Sequence, residues 1–226
     1  MLGLHKEGIQ KITEALEIYG QLNHEMGQAQ AWQQLGVLLI SDGQLDAAEE
    51  AASKAIHLFL EKGNQFEVCK CYGDLGDICH SRGETEKAIN HHETAIGIAS
   101  SFNWADILFG NHYRLAELFF GEDKFDDAHS HVERAKSHAT NDPYRLGRAM
   151  ELQAMFWYKR RMLKEAKSEV LSATDVYEKI GATKDVEGCR VLLRKIEEAA
   201  SREVNSNGEF LETLVPSTPA NSPWSA

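Results

Sequence analysis

The residues of this chain that could do chemistry are four cysteines, ten histidines and several adjacent acid pairs, and their spacing decides whether they can act together. Cys69 and Cys71 stand two apart on a predicted helix, so they point to different sides and cannot clasp one ion as a zinc C-x2-C knuckle does. With Cys79 and Cys189 they read as reduced, packed thiols. His91-His92, His129-x-His131 and His138 fall on stretches predicted helical, where a metal pair needs i, i+3 or i+4 spacing as in H-E-x-x-H. None has that spacing within a helix, so solvated or half-buried imidazoles are expected, and no metal site. Adjacent acids such as Glu49-Glu50 and Asp126-Asp127 solvate an outer helix face. The sequence has no G-x-S-x-G nucleophile turn, no G-x4-G-K-[ST] phosphate loop and no G-x-G-x-x-G following a strand. The chain is therefore expected not to be an enzyme and to carry no cofactor.

Charge narrows the choice of partner. The chain holds 24 basic against 35 acidic residues, a net charge of −11, whereas neutralising phosphates takes clustered Lys and Arg. The one basic cluster, Lys159-Arg160-Arg161 with Lys164, sits at a predicted turn and reads as charge complementing a helix C-terminus. Nucleic acid is not an expected partner. The start, Met1-Leu-Gly-Leu-His-Lys-Glu, has no apolar stretch of signal-peptide length, and no run of about 18 apolar residues occurs anywhere. No membrane association is expected, and a cytoplasmic location is the default.

Any functional surface must be positioned by a repeat. Small residues return at Gly8, Ala48, Ala88, Ala128 and Ala166, at intervals of 40, 40, 40 and 38. A second register runs seven places later at Ala15, Ala55, Ala95, Ala135 and Ala173, and a third leads the first by twelve at Gly36, Gly76, Ala116 and Ala154. Self-similarity at such a period marks a solenoid. Two small residues seven apart share one helical stripe and admit a neighbouring helix closely, so each repeat is predicted as a pair of helices. Trp32-Gln-Gln-Leu35-Gly36-Val-Leu-Leu39 and Tyr72-Gly-Asp-Leu75-Gly76-Asp-Ile-Cys79 place large apolar residues at i, i+3 and i+7, the stripe of a first helix. Gly43 and Gly83 follow, where a residue tolerating positive φ turns the chain back. The alanine register then marks the second helix. A composition of 42% hydrophobic and 26% charged residues, with only four prolines, suits an all-α protein with a continuous core.

The pattern W-x2-L-G-x2-Y, then A-x3-F-x2-A, resembles the tetratricopeptide repeat. Two repeats fit it closely. The third reads His112-x2-Leu115-Ala116-x2-Phe119 and the fourth Met150-x2-Gln153-Ala154-x2-Trp157, and the terminal proline of the motif is absent. The period, longer than the usual 34 residues, is similar to the extended variety of kinesin light chains, polarity scaffolds and the sensor regions of large signalling ATPases. The resemblance covers about residues 3–200 and implies an all-α, right-handed solenoid of antiparallel helix pairs. A leading half-repeat helix is expected in 1–27, four helix pairs in 28–182 and a capping helix in 183–200. Gly3 aligns with Gly43 and Gly83, so the leading helix lacks its partner, and a longer array or another segment is expected to cover that end. From Ser201 the composition turns polar and proline-bearing, and 201–226 is expected to be a disordered tail. There Thr218-Pro219 and Ser222-Pro223 fit proline-directed phosphorylation, and Phe210, Leu211, Leu214 and Trp224 could anchor a short linear motif.

The resemblance also lines the concave face with first helices and assigns a groove to motif places two, five, nine and twelve. In the first repeat these are Gln30, Gln33, Val37 and Ile40, and in the second Lys70, Gly73, Asp77 and His80. The third supplies Gly110, Tyr113, Glu117 and Phe120, and the fourth Arg148, Glu151, Met155 and Tyr158. They do not reproduce the Lys/Asn/Arg clamp that chaperone-binding members carry for a C-terminal carboxylate. A Gln-rich, partly apolar start followed by Asp77, Glu117 and Glu151 points to a protein or peptide partner of basic or amphipathic character. The expected function is that of a protein-interaction scaffold. Two alternatives stand beside it: the ligand-sensing end of a multidomain signalling ATPase, and an RNA- or enzyme-associated adaptor.

Overall fold

Chain reversals set a beat of about 20 residues. Positive φ occurs at Asn23, Gly43, Gly63, Gly83, Asn103, Asp123, Arg161 and Gly181, so Gly43 and Gly83 turn the chain as their spacing predicts. The reversals separate ten helices in the computed structural model, which describes residues 2–139 and 141–214 and shows no strand among them. A leading helix, α1 (Leu2–Gln21), precedes four pairs: α2 (Glu25–Ser41) with α3 (Leu45–Glu61), α4 (Gln65–Ser81) with α5 (Thr85–Phe102), α6 (Ala105–Gly121) with α7 (Phe125–His138), and α8 (Pro143–Lys159) with α9 (Leu163–Lys179). The last helix, α10, spans Thr183–Leu214. Three first helices are capped by side chains that accept a backbone N–H: His24 from Gly27 at 2.8 Å, Asn64 from Glu67 at 3.3 Å and Asp142 from Arg145 at 3.1 Å. Each satisfies a donor that the first helical turn leaves free.

The small-residue registers are the helix contacts. Ala48 and Ala55, Ala88 and Ala95, Ala128 and Ala135, and Ala166 and Ala173 are all completely buried, as are Ala116 and Ala154. At Gly36 a Cβ would lie 3.5 Å from the Ala48 carbonyl oxygen, an ordinary contact. At Gly76 it would lie 2.5 Å from Nε2 of His92. The glycine thus vacates the space that one imidazole fills, and His92 is 1% exposed rather than half-solvated. Its Nδ1 is hydrogen-bonded to Asn111 Oδ1 at 2.9 Å, and Asn111 Nδ2 donates to the Ile107 carbonyl. That pairing is what makes a buried polar ring tolerable.

The shortened interval of 38 residues also has a location. Helix α7 has 14 residues where α3, α5 and α9 have 17 or 18. In the helix that follows, the motif leucine of Leu35, Leu75 and Leu115 becomes Gln153, which is nevertheless 3% exposed. Its oxygen accepts from Lys136 at 2.7 Å, and its amide nitrogen lies 2.9 Å from both His129 Nδ1 and Glu133 Oε1. Lys136 reaches on to Glu169 at 2.9 Å, so one cation ties α7, α8 and α9 together. Here a polar network replaces the apolar contact of the earlier repeats.

At the C-terminal end Val186, Cys189, Ile196 and Ala199 seal the last core cluster, while Lys184, Glu187, Arg194 and Glu198 face solvent. One side of this helix is thus packed and the other polar. The helix continues past the Ser201 boundary to Leu214. Asn205-Ser-Asn-Gly weakens a helix without forbidding it, and the first proline after Ser201 is Pro216. The two Ser/Thr-Pro dipeptides and Trp224 lie outside the described residues.

Candidate functional site

First helices touch each other along the array, α2 to α4, α4 to α6, α6 to α8 and α8 to α10, whereas α3, α5, α7 and α9 have no such contacts with one another. The first helices therefore line the inner, concave side. On that side Gln30, Val37, Lys70 and His80 are exposed, and Ile40, Gly73, Asp77, Glu117 and Phe120 are partly so. Gln33 and Tyr113 are buried, at 9% and 8% exposure. Motif place five rotates into the contact with the next first helix, so the open row runs through places two, six and nine instead. It adds Gln34, Asp74 and Arg114, which lie one helical turn from the expected residues and share their face.

Arg114 alters the electrostatics of this row. Its Nε donates to Asp77 at 3.1 Å and its terminal nitrogen to Glu117 at 2.9 Å. Two carboxylates expected to make the groove acidic thus share one guanidinium. Asp74 has neither an ion pair nor a hydrogen bond, and burial, reinforced by the charge of Asp77, pushes its carboxyl up to about 7. A hollow of about 230 Å³ runs between α4 and α6, bounded by Lys70, Asp74, Asp77, Gly110 and Arg114. A larger one of about 440 Å³ opens between α1, α2 and α4, where Ile12, Val37 and Leu38 meet Gln33, Lys70 and Asp74.

The fourth repeat is closed by comparison. The Arg148 guanidinium stacks 4.4 Å from the Tyr113 ring, and Arg145 lies 5.5 Å from Phe109 and pairs with Asp106. Glu151 accepts from the Tyr177 hydroxyl at 3.2 Å, and burial raises its carboxyl. Met155 packs on the third-repeat core, Tyr158 on the last one, and Phe120 lies against Phe156 at 4.4 Å. These side chains join repeats to each other rather than standing free.

Chemistry-bearing residues elsewhere are accounted for. All four cysteines are free and buried, and burial raises the thiols, to about 12 at Cys71 and about 11 at Cys69 and Cys189. No group of three His, Cys, Asp or Glu residues able to hold a metal occurs among the described residues. The basic cluster at the fourth turn pairs with acids: Lys159 with Asp123 at 2.5 Å, Arg160 with Asp126 and Arg161 with Glu203, each at 3.4 Å. Arg82 likewise pairs with Asp46 and Glu49 across α3 and α4. No helix among the described residues is long and apolar enough to cross a membrane.

A concave row of first helices with paired second helices outside defines an α-solenoid of antiparallel helix pairs. The tetratricopeptide repeat family model matches residues 28–101, which are the pairs α2–α3 and α4–α5. Sequence comparison with the curated proteins finds no match. Among solved structures the chain is similar to BtubC (BKLC) from P. vanneervenii, at 16% identity and a TM-score of 0.78, covering 98% of this chain and 96% of that one. It is similar to the Rap conjugation gene regulator of the plasmid pLS20, solved in complex with the Phr* peptide, at 18% identity and a TM-score of 0.60. That match covers 89% of this chain and 59% of the regulator. A STAND signal-transduction ATPase from Pyrococcus horikoshii with a tetratricopeptide repeat sensor matches at 10% identity and a TM-score of 0.67, over 80% of this chain and 30% of that one. At such identities the likeness is one of fold.

Proposed function

We propose that this protein is a non-enzymatic interaction scaffold that holds a peptide or helix of a partner protein along the inner row formed by α2, α4 and α6. The observation that carries this reading is the mixed polar and apolar character of that row. Val37 is 46% exposed, and Asp74 is left without a partner in a face whose other charges are matched internally. Unmatched polar groups beside apolar surface form a recognition surface, because a partner gains both burial and hydrogen bonds there. The Rap regulator, which shares this architecture, was solved with a peptide bound. Because Arg114 offsets Asp77 and Glu117, the partner this face fits is amphipathic, with an apolar anchor, rather than simply basic.

A second reading, a sensor region within a larger signalling ATPase, draws on the likeness to the STAND protein, of which this chain covers 30%. The same inner face would then receive the sensed ligand, so both readings meet one test. Asp77→Lys with Glu117→Lys gathers three cations around position 114. The double variant is expected to lose a partner recovered by affinity capture while its helical circular dichroism is retained, since lysine is a good helix former and its long stem carries the charge out of a part-exposed position. Retained capture in the double variant would remove the inner row from the account.

A further inference from the structure

The hollow between α1, α2 and α4 is lined by one buried donor without an acceptor and by one part-exposed carboxylate without a partner in the protein. Gln33 is nine-tenths buried, and its Nε2 finds no hydrogen-bond acceptor. Its neighbour across the helix contact is the Cys71 thiol, and sulfur is a weak acceptor. A buried donor held against so weak an acceptor gains little there, so turning it toward a better acceptor is favourable. The terminal torsion of glutamine is broad and nearly two-fold. A half-turn offers the oxygen to the thiol proton, which burial holds on Cys71 by pushing its thiol up to about 12, and turns the N–H2 toward an incoming group. Asp74, on the opposite wall, is an acceptor with neither an ion pair nor a hydrogen bond. Between them Ile12, Val37 and Leu38 provide an aliphatic wall. The volume of about 440 Å³ lies within the usual range of about 300–1,000 Å³ for ligand sites.

We infer that this cleft is a subsite for one aliphatic residue of a peptide: the side chain lies against Ile12, Val37 and Leu38, a backbone carbonyl accepts from Gln33, and a backbone N–H donates to Asp74. A donor and an acceptor beside an apolar wall match the two faces of a peptide unit. A bare ammonium ion would leave Gln33 unsatisfied, and a carboxylate would meet Asp74. The inference rests on the inner row being the binding face, and it assigns that row's N-terminal anchor.

The probe is N-acetyl-leucine N-methylamide, which carries one isobutyl side chain between two peptide groups, added to the full chain and followed by ¹H–¹⁵N correlation spectra. Saturable shifts are expected at the Gln33 side-chain amide and at the backbone of Val37, Leu38 and Asp74. Gln33→Met keeps the volume and removes the amide, and it should weaken the probe about tenfold. Asp74→Asn keeps an acceptor oxygen and should retain binding, whereas Asp74→Leu should lose it. If Gln33→Met disturbs the helical signal, the Asp74 pair decides. The inference is overturned if no saturable shift appears, if both Gln33→Met and Asp74→Leu bind like the parent, or if isobutylammonium shifts the same resonances more strongly than the probe. Failure here together with loss of capture in the Asp77, Glu117 double variant removes the subsite and leaves the inner-row reading standing. The reverse pattern, saturable probe binding with capture retained in the double variant, shows that the cleft takes a peptide group but overturns its assignment as the anchor of a row through Asp77 and Glu117.

Discussion

Gly76 and Gly36 occupy the same place in successive repeats, yet a methyl group added at each would meet different surroundings. At Gly36 the nearest atoms lie 3.5–3.8 Å away, so Gly36→Ala removes glycine's backbone entropy without a clash and should leave the thermal midpoint unchanged or raise it. At Gly76 the new Cβ would press on the His92 ring, which cannot swing aside without breaking its bond to Asn111. Gly76→Ala should therefore lower stability by about 1–3 kcal/mol, read as a lower midpoint in calorimetry. The histidines of the third repeat predict a pH dependence. His112 lies 3.0 Å from His131, nitrogen to nitrogen, and stacks on His138. Burial, then the charges of His131 and Arg134, hold its imidazole down to about 4. The unfolded chain takes this proton near pH 6.5, so the His112 contribution to stability is constant above that value and falls as pH drops from about 6.5 to 4, by on the order of 3 kcal/mol. Asp74, raised in the fold, acts in the opposite direction between about 7 and 4. Comparison with His112→Phe, whose ring suits a place held by Trp32 and Tyr72 in earlier repeats, separates the two: the variant should lose less stability over that window.

Helix pairing was legible in the sequence because close approach demands small side chains at a fixed spacing, and Ala48, Ala88, Ala128 and Ala166 all proved completely buried. The inner face was legible only in part. Motif places two and nine stay open, but place five turns into the next first helix, and whether it does so depends on a crossing geometry that one repeat does not encode. For the same reason Arg114 escaped notice: its two carboxylates come from different helices, α4 and α6. In the sequence Gln153 stands where the motif has leucine, and only the neighbouring helices reveal it as a substitute contact. That contact yields a prediction for elements. Lys136→Met strips the donor from Gln153 and Glu169 and should cost about 1–3 kcal/mol. Amide exchange should accelerate in α7 to α9 more than in α2 to α5, as expected where a local unit loses its tie. Equal acceleration throughout would mean that the network carries no local weight.

At the scale of the whole molecule, the solenoid separates an inner surface of first helices from an outer surface of second helices, and the account requires a partner on the inner one. Two glycines allow this to be measured with little disturbance. Gly110 on α6 borders the hollow between α4 and α6, and Gly97 on α5 is exposed on the outer side. A Cβ added at either would have no atom within 4 Å. A photo-crosslinking aromatic residue installed at each position in turn, followed by irradiation with the captured partner, tests the face directly. Crosslinks from position 110 and none from position 97 are predicted. Crosslinks from position 97 with none from position 110 would contradict the assignment of the binding face.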